Sequence, residues 1–191
     1  QDFEMTSNRG DCTCHVGLAR EIAALTDRTL FVPVASPETS GASVDTLATL
    51  TNEVPESCPL YTGRVITGIT VGPSPSHISN RLTARGDIPR SNLVDATNFV
   101  MLDLGNPLHA FDRREVKGDA IVVRRATDGE VFTTLDDAVH TLTSADLLIG
   151  DGERGVALAG IMGGQNSEIR DDTTQVVLEA AAIQGTKEIV H

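Results

Sequence analysis

The chain contains no tryptophan, a single tyrosine and only five phenylalanines in 191 residues. Its core must therefore rest on Val, Leu, Ile and Ala, with little help from aromatic stacking. No apolar run reaches 18 residues, which excludes a helical membrane span. Positive charge is also scarce: 15 Lys and Arg stand against 27 Asp and Glu, for a net charge of −12 and a pI near 4.7. Phosphate binding draws most of its affinity from Lys and Arg, so this balance argues against a free-standing nucleic-acid binder. Any RNA partner must be presented by other parts of a larger assembly or touched only at its tip.

Cysteine is sparse too. Cys12, Cys14 and Cys58 are odd in number and come without a secretory signal, so they read as reduced thiols. Cys12-Thr13-Cys14-His15 offers half a metal site, but no second cluster completes four ligands, so zinc is rejected and no metal or cofactor is expected. The opening Gln-Asp-Phe-Glu-Met is neither a signal peptide nor a natural initiator, and the expectation is a module excised from a longer chain. A chain of this length buries a real core as one domain or two small ones.

What is present begins with a loop over residues 6–10 that feeds a helix over 12–26, with Leu18, Ile22 and Leu25 on one face. The tripeptide Arg9-Gly10-Asp11 matches an adhesion motif too easily by chance and reads as the approach to that helix. Residues 33–63 are rich in Pro, Ser, Thr and Gly and read as an irregular connection, with 46–51 a strand or a turn. Alternation at Val65, Thr67, Ile69 and Val71 predicts a strand that Gly72-Pro73 ends. A short helix over Ser76 to Arg85 precedes a central helix that begins near Ser91 or Asn92. Leu93, Thr97, Val100, Met101 and Leu104 line one face of it, Gly105 closes it and Pro107 prevents its continuation.

Beyond His109 the chain reads as sheet. Ile121 to Val123 form a buried run, and Val131 to Leu135 with Val139 to Leu142 form a hairpin around Asp136-Asp137. Leu147 to Ile149, Val156 to Leu158 and Gln175 to Ala180 add further strands. Helices first and strands later predict a sheet-rich, layered α+β fold with N-terminal helices and a later antiparallel or mixed sheet, not a doubly wound parallel one.

Three segments carry candidate chemistry. Asn98 and His109 are two polar side chains 11 positions apart, one on the helix and one past its turn, with Phe99 and Phe111 as neighbouring apolar residues. On the residues alone they are either convergent site groups or a solvent-facing helix residue and a turn histidine. Ala159-Gly160-Ile161-Met162-Gly163-Gly164 lacks the spacing of a nucleotide-binding loop. It is either a tight turn or a place where backbone lines a pocket. Glu179 interrupts the apolar Val176-Val177-Leu178 strand, where a carboxylate is costly to bury. It either faces solvent by alternation or is placed for use.

The stretch from Val94 to Asp112 resembles the Val-Asp-x-Thr-Asn-Tyr-x-Met-x-x-x-Gly-x-Pro-x-His-Ala-Phe-Asp signature of bacterial phenylalanyl-tRNA synthetase β subunits, in their B3/B4 editing region. Asn8 to Cys12 with Gly17 to Glu21, Leu158 to Gly164, and Leu178 to Ala181 resemble further elements of that region in the same order. Departures are Phe99 for the usual Tyr, the Ile88-Pro89-Arg90-Ser91 approach, and the tail after Ile183.

The resemblance implies a single B3/B4-type module over 1–191, with two intertwined subdomains as the alternative. It implies post-transfer editing in the cytoplasm: hydrolysis of the ester of tyrosine misattached to phenylalanine tRNA. His109, Asn98 and Thr97 are then the catalytic end, and Glu179, Ala159, Gly160 and Ala181 bind the substrate. The implied partners are the 3′ end of mischarged tRNA, the rest of the β subunit and the α subunit, with no membrane. A scaffold with an inert pocket and a binding module for free aromatic amino acids are the rival readings.

Overall fold

Residues 3–32 and 34–184 are described by a computed structural model. They divide into two compact units, each assembled from two separate stretches of chain: Gln1–Gly41 with Pro73–Leu108, and Ala42–Gly72 with His109 onward.

The first unit holds the three α-helices, α1 (His15–Thr26), α2 (Ser76–Arg85) and α3 (Asn92–Leu104). The start expected at residue 12 moves to His15 because Gly10–Cys12 forms a separate 3-10 turn and the Cys14 thiol accepts the Gly17 N–H. That turn lies so close that a Cβ on Gly17 would stand 1.7 Å from the Asp11 carbonyl oxygen, so only glycine fits there. The inward face expected from Leu18, Ile22 and Leu25 is not the buried one. Leu25 is 84% exposed, whereas Val16 and Gly17 are buried. Periodicity located an apolar stripe, but the 3-10 turn covers the other side of the first helical turn.

The helix α2 spans the expected residues and ends on left-handed Gly86. Ser91 caps α3 through the Val94 N–H, and Gly105 closes it at φ 84°. The α3 residue fully buried is polar: the Asp95 carboxylate accepts the Arg90 N–H at 2.8 Å and a short bond from the Ser74 hydroxyl. These bonds tie the approaches of α2 and α3 to one residue. Leu104, expected on the inward face, is 51% exposed. The Arg81 guanidinium lies 5.5 Å over the Phe99 ring and joins α2 to α3.

The second unit is sheet. A five-stranded mixed sheet is ordered β1 (Thr49–Asn52), β4 (Ala120–Arg125), β7 (Leu147–Gly150), β8 (Gly155–Leu158), β9 (Met162–Gly163), with β1 and β4 parallel and the later pairs antiparallel. A three-stranded sheet is ordered β2 (Leu60–Thr67), β10 (Gln175–Ala182), β3 (Leu108–Asp112). The hairpin β5 (Val131–Thr133) and β6 (Val139–Thr141) turns at Asp137, as its sequence predicts. The α+β class expected from the sequence is the class observed.

Within it, several bounds differ. The stretch read as irregular holds β1 and the start of β2. The strand expected to reach Val71 stops at Thr67, where its partner β10 begins at Gln175 and Gly68 turns the chain at φ 72°. His109, expected just past a turn, is the second residue of β3. The final strand runs on to Ala182. Residues 185–191, most of the divergent tail, lie outside the described residues. Among those described, no helix is long and apolar enough to cross a membrane.

One apolar cluster joins the two larger sheets. Ile121, Val123, Leu147, Ile149 and Val156 from one meet Tyr61, Phe111 and Val177 from the other. This is the Val, Leu and Ile core that the shortage of aromatics requires. All three cysteines are free and buried.

Candidate functional site

The alternation of side chains along a strand builds the site. On β10, Val177 packs into the core cluster, so Glu179 and Ala181 share its face. On β3, fully buried Phe111 does the same and carries His109 with it. On β2, Tyr61 and Val65 join the cluster, which places Gly63 on that face also. Thus His109 and Glu179 project from one face of the three-stranded sheet, on neighbouring strands.

Glu179 is partly buried, and desolvation raises its carboxyl pKa from 4.5 to about 7. It is not a freely solvated strand residue. The Tyr61 hydroxyl donates to Glu179 Oε2 at 2.7 Å, which opposes part of the upward shift. Burial and the adjacent carboxylate together hold the Tyr61 phenol protonated well above its usual range. Among the described residues, Oε1 of Glu179 has no hydrogen-bond partner.

His109 sits edge-on to Phe111, with ring centroids 4.5 Å apart. Burial lowers its pKa from 6.5 to about 4, so the imidazole is neutral at pH 7. The ring also lies close to Gly163, where a Cβ would stand 2.5 Å from Cε1 and 2.8 Å from Nε2. No hydrogen bond to its ring nitrogens is made by the described residues.

The glycine-rich segment meets this face at two points. Gly163 lies under His109, and Gly160, at φ 71°, lies against Ile183, just beyond β10. Ala159 is buried in the core cluster, its N–H bonded to the Leu147 carbonyl at 3.0 Å. The segment is therefore both a turn between β8 and β9 and a backbone wall beside His109. A cavity of about 360 Å³ opens farther along the same face, against Gly63, Val65, Val177 and Leu50 with Asp45 and Thr49, and does not include Glu179 or His109.

Of the expected site residues, His109, Glu179 and Ala181 share this face, Gly160 lies against Ile183 just beyond β10, and Ala159 lies in the core cluster. Thr97 and Asn98 are on α3, in the other unit, where the Thr97 hydroxyl donates to the Val94 carbonyl at 2.7 Å. Two residues were missed by sequence reasoning. Gly163 was hinted at by the Gly163-Gly164 pair; Tyr61 stood out only as the single tyrosine of the chain.

The fold and this face define an α+β domain that presents an acid and a neutral imidazole from one sheet. Residues 57–189 match the B3/4 domain, and the chain belongs to that family. The phenylalanine–tRNA ligase beta subunit of Geobacter sulfurreducens is 53% identical over 180 residues, covering 94% of this chain and 22% of that protein. The corresponding subunit of Rhodopirellula baltica is 46% identical, over 94% of this chain and 26% of its own length. The chain thus spans about a quarter or less of these relatives. A crystal structure of an N-terminal fragment of the phenylalanyl-tRNA synthetase beta subunit from Pyrococcus horikoshii shares the fold. It has a TM-score of 0.56 at 16% identity, covering 95% of this chain and 55% of that one. The family resemblance drawn from the sequence motifs is borne out.

Proposed function

We propose that the chain is an editing module that hydrolyses the ester of tyrosine misattached to phenylalanine tRNA. The observation that carries this reading is the Glu179 carboxyl, which shares a face with His109 and already accepts a phenolic hydroxyl, that of Tyr61. A tyrosine substrate offers the same donor to the remaining oxygen. Phenylalanine offers none, and leaves a partly desolvated acceptor unpaired at a cost of about 1–3 kcal/mol. An apolar synthetic pocket rejects an added hydroxyl by only about a hundredfold in comparable cases, so a second site that requires the hydroxyl supplies the missing selectivity.

His109 belongs to the ester end in this reading. A group that takes up its proton only near pH 4 is a poor base at neutral pH, so its role is to hold water or the terminal ribose hydroxyl by hydrogen bonding. Ala181, Gly160 and Ala159 bound the substrate, and Thr97 and Asn98, which lie in the other unit, are left out of this assignment. The partners are the 3′ end of the mischarged tRNA and the remainder of a two-subunit synthetase, in the cytoplasm. The test is deacylation of tyrosyl and phenylalanyl tRNA by wild-type chain and by Glu179→Gln. The variant keeps the shape but turns a charge-assisted bond into a neutral one, so the tyrosyl preference should narrow by about tenfold. An unchanged preference in an active variant removes Glu179 from the site.

A further inference from the structure

We propose that Tyr61 is a positioning residue for selectivity: its phenol clamps one oxygen of Glu179 so that the other faces the substrate hydroxyl. This rests on the editing reading and assigns Tyr61 a part in it. In the β2–β10 register Tyr61 stands opposite Ala181, and Glu179 opposite Gly63. Each large side chain therefore faces a small one. That leaves room for the Tyr61 ring to cross diagonally, a span an aromatic residue covers on an antiparallel pair. The ring is 9% exposed and packed in the core cluster, so its hydroxyl has a fixed position, and the bond to Oε2 measures 2.7 Å.

A glutamate without such a clamp samples several rotamers and gives up that freedom when it binds. With Oε2 held, the entropy is already spent, and Oε1 presents its lone pairs in one direction. The clamp is itself a tyrosine hydroxyl, so the carboxyl is already arranged for a phenolic donor. Tyr61 touches Glu179 and acts through it.

Two measurements test this. The first is Tyr61→Phe, which removes one oxygen and keeps the ring. The ratio of tyrosyl to phenylalanyl deacylation should fall by about three- to tenfold, within the range a typical intramolecular hydrogen bond spans. The loss should lie chiefly in KM for the tyrosyl ester, and be absent when added to Glu179→Gln, because the two residues act as one unit. An unchanged ratio, or an equal loss on both esters, overturns the proposal.

The second uses intrinsic emission, which reports Tyr61 alone because the chain has no other tyrosine and no tryptophan. A phenol bonded to an ionised carboxylate is quenched, so emission should rise as pH falls through about 7, and this step should vanish in Glu179→Gln. The other titratable groups near this face change charge outside that window, Cys58 above its usual value and His109 near 4. A flat titration with the tyrosyl preference intact overturns the clamp alone. A wild-type chain that shows the step but no tyrosyl preference overturns the editing reading, and with it the part of Tyr61 in selectivity.

Discussion

At the scale of single residues, the site depends on close approaches that leave no slack. A methyl at position 163 would stand 2.5 Å from the His109 ring, and the ring also packs edge-on with Phe111. Gly163→Ala should therefore cost about 1–3 kcal/mol, the usual penalty for overpacking, and slow deacylation by displacing the imidazole. Urea unfolding and single-turnover rates check this; a variant of wild-type stability and rate shows that the ring moves aside freely.

His109 and Glu179 also give opposite pH dependences of stability. The native pKa of Glu179 is raised from 4.5 to about 7, so its contribution is full below 4.5 and is lost as pH rises to 7. The native pKa of His109 is lowered from 6.5 to about 4, so its contribution is full above 6.5 and is lost as pH falls to 4. The two slopes oppose each other between about 4.5 and 6.5. In Glu179→Gln the chain should lose stability more steeply on acidification across that range, and in His109→Asn it should gain. Melting temperatures at several pH values test both signs.

At the scale of elements, legibility in the sequence followed the range of the interactions that decide each boundary. The span of α2 and the closure of α3 at Gly105 were legible because their caps and stop signals lie within a few residues. The end of β2 was not, since it is set by where β10 begins, more than 100 positions on. Nor was the bond from Tyr61 to Glu179, which joins residues 118 apart with no local pattern to announce it. The motif stretch offered candidate residues but not how they are held: His109 reads as a turn residue and is a strand residue. Asp95 is a similar case, a polar position within an apolar helical pattern that proves to be the buried anchor of α3. Asp95→Ala strands the Arg90 N–H and the Ser74 hydroxyl, and should cost about 1–3 kcal/mol in thermal or urea unfolding. Wild-type stability in that variant contradicts the anchoring role.

At the scale of the whole molecule, charge decides what the chain can do alone. A net charge of −12 repels a polyanion. The chain's affinity for tRNA at physiological salt should be weaker than micromolar, and submicromolar binding contradicts this. Substrate must therefore be supplied at high concentration in any assay of the chain itself. The most direct measurement is then the ratio of deacylation rates for tyrosyl and phenylalanyl tRNA, taken on wild-type chain at pH 6 and pH 8. The account predicts a preference for the tyrosyl ester at both values. It should be larger at pH 8, where Glu179 is ionised and accepts the substrate hydroxyl as a charge-assisted bond. Equal rates for the two esters at both pH values, in a folded and active chain, would contradict the assignment of Glu179 as the reader of that hydroxyl.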